Sequence, residues 1–328
     1  MRILAIVPGG IRDQILFFPT LESLKKKYPK ATIDVIVEPR SKNSYTICPY
    51  VQDVLVFDFQ DQNGLADYLN LLGMIKDREY ELAITLEDDW IISFLLWLDG
   101  IPTRIGYKSN TSWFLNCTVP KKTEQYLPYM YHELLKPLHI NTPCPPLSIH
   151  IPQDEINWAT AEKSRLNLQD NDYILIHGGA SVVTTSQGIN KIYPVPKWQR
   201  IIDEIQRIQE MPIVLLCGPD DVDWTKELIT LCPQVKVVAP PSMGKLAAII
   251  GGARLMVCTD SAPMQLAIAQ KVPTIGLFGP TQASQLIPPE CDYAVGIQSF
   301  SRDITDIVPD QILEKVRQFL AHQEAVKG

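Results

Sequence analysis

The chain has 328 residues, 46 % apolar and 20 % charged, long enough for two domains with cores of their own and too apolar for a disordered chain. Its 30 Lys and Arg against 37 Asp and Glu leave a net charge of −7, which excludes a non-specific nucleic-acid binder, because a polyanion would repel it. The seven cysteines are scattered, odd in number and without a CxxC pair, so neither a disulfide framework nor a zinc cluster is indicated and a reducing cytoplasm fits best.

The opening run MRILAIVPGG is too short for a signal peptide and lacks a small-residue cleavage site. In chain order, 2–7, 32–37, 54–57 and 81–86 read as strands rich in β-branched residues and bounded by turn formers. Between them, 13–27 and 64–77 carry helical spacing, with Ile15, Leu16, Phe18, Leu21 and Leu24 as the apolar stripe of the first. Residues 90–98, WIISFLLWL, form the longest apolar stretch, well short of the roughly 20 residues needed to span a bilayer, and read as a buried helix. Residues 136–153 are dense in proline, which interrupts helices and interior strands, and the domain junction is placed there.

A second alternating series follows: helix at 155–168, strand at 173–177, helix at 197–209, strand at 213–217, helix at 243–251, strand at 255–258, helix at 263–270 and strand at 274–278. A last helix at 309–321 could pack on either domain. Parallel strands require crossovers, so the expected architecture is α/β, with two doubly wound Rossmann-like domains, 1–152 and 153–328, facing a central cleft and binding ligands at the carboxyl ends of their strands.

The strongest local signal is 255–281, LMVCTDSAPMQLAIAQKVPTIGLFGPT. A buried strand runs through Thr259, Asp260, Ser261 and Ala262 into a helix whose first turn holds Pro263, and the exposed amides of such a start favour an anion. DSAPMQLA at 260–267 and VPTIGLFGPT at 272–281 resemble the D-(T/S)-G-x-x-H-L-A and V-P-x-x-x-L-F-G-P-T patterns of family 9 glycosyltransferases, the group containing the ADP-heptose:lipopolysaccharide heptosyltransferases. GGIRDQILFFPTLESLKKKYP at 9–29, DGIPTRIGY at 99–107 and KIYPVPKW at 191–198 extend the likeness over nearly the whole chain.

The resemblance implies a GT-B fold, with an acceptor-binding first domain and a donor-binding second domain. It also implies an inverting transferase that moves a sugar from a nucleotide-sugar donor to a lipopolysaccharide or other glycan acceptor, without a metal or other cofactor. The donor half has no DxD flanked by apolar strand residues, although Asp221 and Asp223 share that spacing.

Breaking the bond to a diphosphate builds negative charge that must be stabilised. The expected donors are the amides of Ser261, Ala262 and Met264 beside Asp260, with Lys191, aligned with the family's lysine, supplying a positive charge. Asp13, aligned with the family's aspartate, is the expected base for the acceptor hydroxyl; capping of the following helix is the competing role. Asp221 is expected at the ribose hydroxyls, where the family more often has Glu. HGGAS at 177–181 is a further strand exit, at which Gly178 and Gly179 either let backbone approach a ligand closely or form a plain turn, and His177 reads as structural. Glu87, Asp88 and Asp89 read as a solvated acidic turn.

Arg12, Ala262 and Gln265 depart from the family pattern, standing where it has Gly, Gly and His. Arg12 is expected to alter the turn that aims Asp13, Ala262 to narrow the approach to the donor, and Gln265 to replace a proton carrier with an amide. The alternatives are a degenerate nucleotide-sugar-binding protein and a GT-B-fold nucleotide-sugar epimerase. A dinucleotide dehydrogenase is disfavoured, since no GxGxxG follows the first strand. An acceptor of the lipopolysaccharide type would draw the protein to the inner face of the membrane.

Overall fold

A computed structural model describes residues 1–170, 172–179 and 191–327. Ala180 and Ser181 of the strand exit at 177–181 lie outside the described residues. The chain divides into two units, Met1–His150 and Ile151–Gly328.

The first unit is built on a parallel sheet of β1 (Arg2–Val7), β2 (Thr32–Val37), β3 (Asp53–Val56), β4 (Leu82–Thr85), β5 (Thr103–Tyr107) and β6 (Cys117–Val119), in the order β3-β2-β1-β4-β5-β6. In β1 all five residues after Arg2 are buried, as expected of a strand covered on both faces. In helix Ile11–Lys27, Ile15, Leu16, Phe17, Phe18, Leu21 and Leu24 are buried and Lys25, Lys26 and Lys27 occupy the last turn, where cations complement the helix dipole. Leu4, Ile6, Ile36 and Ala83 pack with Leu71, Ile75, Ile92, Leu95 and Leu96 in a single core. Helix Trp90–Leu98 is only partly buried: Ile92, Leu95 and Leu96 face inward, while Trp90, Trp97 and Leu98 are about half exposed. A helix that is apolar all round can turn only one side to its own core.

The second unit carries β7 (Ile174–His177), β8 (Ile213–Leu216), β9 (Lys236–Val238), β10 (Leu255–Thr259), β11 (Thr274–Phe278) and β12 (Ala294–Gln298), all parallel, in the order β12-β11-β10-β7-β8-β9. Numbered within the unit and read from the other edge, this is the strand order of the first sheet. The order reverses between β1 and β4 in one sheet and between β7 and β10 in the other, and at such switch points diverging crossovers leave a crevice beyond the carboxyl ends. The last helix, Pro309–Lys327, packs on the second unit, where Ile312, Leu313, Val316 and Leu320 join Trp198, Ile201, Ile202 and Ile205 of helix Val195–Ile208.

Candidate active site

In the second unit, the exits of β7 and β10 are tied together by the Thr259 hydroxyl, which donates to the Gly179 carbonyl at 2.9 Å. The next residue, Asp260, accepts from Lys191 Nζ at 2.5 Å, with both residues at least 94 % buried (6 % and 5 % exposed). Two charges so deep persist because they face each other; removing either would leave the other stranded, at a cost of about 3–5 kcal/mol.

Ser261 is extended (φ −154°, ψ 168°) and precedes helix Ala262–Ala269, with Pro263 in the first turn. Its hydroxyl makes no bond to the helix amides and pairs instead with His177 Nδ1 at 3.3 Å. The first-turn amides of Ala262 and Met264 have no acceptor within their own helix, and beside a buried lysine they can hold the oxygens of an anion.

His177 closes β7, and its Nε2 donates to Asp221 Oδ2 at 3.0 Å. Gly218 N donates to the same oxygen at 3.1 Å. Burial alone would raise the Asp221 pKa, but its hydrogen bonds with His177 and the Gly218 amide hold the carboxyl below its ordinary range. Asp221 is only 5 % exposed, with its carboxylate engaged by His177 and the Gly218 amide.

A Cβ at Gly179 would stand 1.6 Å from Asp221 Oδ1, and one at Gly178 2.3 Å from Trp224 Cζ2. Neither position has room for a side chain. Gln265 is fully buried and donates to the Leu286 carbonyl at 3.0 Å, so it faces away from the helix mouth.

In the first unit, the turn after β1 is held by buried polar groups. Gln14 Nε2 donates to the carbonyls of Val7 (2.8 Å) and Gly9 (3.2 Å), Ser41 Oγ donates to Gly9 (2.9 Å), and Tyr45 donates to Gln14 Oε1 (2.8 Å). Gly9 takes the left-handed backbone, φ +104°, which glycine adopts without a Cβ penalty. Arg12 lies inside helix Ile11–Lys27 without a positive φ, so it does not disturb the turn as expected. Instead its Nη2 pairs with Asp13 Oδ1 at 3.3 Å, while Asp13 Oδ2 accepts the Gly10 amide at 3.1 Å. Asp13 thus fills the capping role, with 22 % of its side chain exposed.

Sequence reasoning passed over two residues here. His177 had no ligand-like spacing, and its partners Asp221 and Ser261 lie 44 and 84 residues away. Glu38, at the exit of β2, is buried and accepts the Phe59 amide at 3.0 Å. Burial first, then the nearby Asp58, pushes it up to about 7; an acid directly following a buried strand was the signal available. Asp89 caps helix Trp90–Leu98 through the Ile91 amide (3.0 Å) and Asp88 lies 3.9 Å from Lys121, in keeping with a solvated acidic turn.

The model of glycosyltransferase family 9 (heptosyltransferase) matches residues 69–303. The chain is 23 % identical over 309 residues to the photosynthetic NDH subunit of subcomplex B 1, chloroplastic, of Arabidopsis thaliana; the match covers 88 % of this chain but 66 % of that protein's length. It is 25 % identical over 291 residues to lipopolysaccharide heptosyltransferase 3 of Escherichia coli K12, covering 82 % of this chain and 80 % of that one. Among solved structures, the glycosyl transferase family 9 protein of Veillonella parvula shares the fold with a TM-score of 0.80 at 20 % identity, over 98 % of this chain and 97 % of that one. With a family match over most of its length and a pair of parallel sheets of the GT-B type, the chain belongs to glycosyltransferase family 9.

Proposed function

We propose that the protein transfers a sugar, of the heptose type, from a nucleotide-sugar donor to a lipopolysaccharide or related glycan acceptor with inversion at the anomeric carbon. The observation that carries this reading is the buried Lys191–Asp260 pair at the mouth of the helix begun by Ser261, on the switch point of the second sheet. Lys191 and the amides of Ala262 and Met264 take the charge that grows on the departing diphosphate. In the first unit, Asp13 accepts the proton of the acceptor hydroxyl as its oxygen attacks; Arg12 and the Gly10 amide keep the carboxylate fixed until then.

Among the described residues no helix is long and apolar enough to cross a membrane. A lipid-borne acceptor would be met at the membrane surface, and the half-exposed Trp90 and Trp97 with the exposed Trp113 have the amphipathic rings suited to that interface. The test is release of nucleoside diphosphate from a panel of ADP-, UDP- and GDP-sugars, with and without a lipopolysaccharide core acceptor. Acceptor-dependent release from one donor is the expected result; donor turnover without acceptor, or none with any donor, would overturn the transferase reading.

A second reading, a nucleotide-sugar binder without turnover, draws on two observations. One relative is named as an NDH subunit, and the base is engaged by Arg12. Donor binding with no release in any combination would favour it.

A further inference from the structure

Asp221, His177 and Ser261 form a chain of hydrogen bonds running from a buried carboxylate to a hydroxyl at the helix mouth. A carboxylate can only accept, so Nε2 of His177 carries hydrogen and donates to Asp221. The state of the other ring nitrogen then sets the polarity of Ser261. If Nδ1 is bare it accepts the Ser261 proton, and the hydroxyl turns lone pairs toward an incoming phosphate. If Nδ1 carries hydrogen it donates to Ser261 Oγ, and the hydroxyl proton is free to point outward. Only the second arrangement suits an anion.

We propose that His177 is a positioning residue for the donor diphosphate: it takes up one proton from water as the diphosphate settles, and so turns Ser261 into an outward hydrogen-bond donor. This rests on the donor-binding reading above.

The surroundings admit that charge. Asp221, from the exit of β8, is its counter-ion. Asp260, at the exit of β10, faces Lys191, which precedes helix Val195–Ile208. Cys258, the register partner of His177 on β10, has a thiol that burial pushes up and keeps neutral. On the helix side Trp198 and Trp224 crowd Gly178 with uncharged rings. The hydroxyl that would ordinarily cap helix Ala262–Ala269 is turned to this ring instead.

The test is calorimetric titration of the full chain with ADP, UDP and GDP in buffers of different ionisation enthalpy at about pH 7.5, where a histidine can change charge. The nucleotide that binds should bring roughly half to one proton with it, and its affinity should fall as pH rises, because bound protein holds the extra proton. His177→Gln should abolish the uptake and weaken binding roughly tenfold, the loss expected for one charge-assisted hydrogen bond. His177→Asn, which sets an amide at the position of Nδ1, serves if the first variant fails to fold, and should bind without uptake. Binding by the wild type with no proton uptake, or uptake retained in either variant, would overturn this inference and leave the donor reading standing. No binding of any of the three nucleotides would overturn both.

Discussion

Asp13 and Glu38 both come after strands of the first sheet, in different surroundings. Asp13 lies against a guanidinium and a backbone amide, whereas Glu38 is buried and crowded by Asp58. Asp13→Asn should keep the thermal shift produced by a bound donor and lower the transfer rate by about 10²–10⁴, the usual share of a general base. A coupled assay of nucleoside diphosphate release checks this, and an unchanged rate would remove Asp13 from the role. Because Glu38 is raised from 4.5 to about 7, its neutral form stabilises the fold below the lower value, and that contribution is lost as pH climbs through the upper one. Glu38→Gln should therefore flatten the fall in melting temperature over that window and add about 1 kcal/mol above it, discounted for solvent screening. Asp13 and Lys191 could be picked out by type and spacing within motifs. His177 could not, because its meaning comes from partners that only the folded sheet brings within reach.

Among the elements, the longer ones were readable. Strand 32–37 is observed as Thr32–Val37 and helix 243–251 as Met243–Gly251, because a buried parallel strand and an amphipathic helix each repeat their period several times. The short ones escaped: β6 and β9 have three residues each, too few for alternation to register, and the 3-10 helix Pro39–Ile47 lacks an apolar stripe. The tightness of the β7 exit was also hidden, since Gly178 and Gly179 look like any turn. A methyl at Gly178 would press on Trp224 and Trp198, so Gly178→Ala should destabilise by about 1–3 kcal/mol, the usual cost of overpacking, measured by denaturant unfolding. The outward side of helix Trp90–Leu98 carries a further expectation. Trp97 stacks on Phe94 and touches Phe114, and Trp97→Ser combined with Trp113→Ser should reduce sedimentation with lipid vesicles while leaving the circular dichroism spectrum intact. Equal sedimentation would assign the aromatic face another role.

At the scale of the molecule, two units with unrelated sequences repeat one strand order, each with its own core. The last helix, which the sequence left open between them, belongs to the second because Ile312, Leu313 and Val316 find their apolar partners there. Residues 151–328 expressed alone should therefore fold and retain nucleotide binding, read by circular dichroism and calorimetry; a fragment that aggregates or binds nothing would overturn this expectation. In both sheets every strand runs the same way, so the loops leaving the strands' carboxyl ends gather along one rim while the packed interior is set by the strands themselves. Substitutions on that rim can therefore retune or extinguish chemistry at little cost to folding.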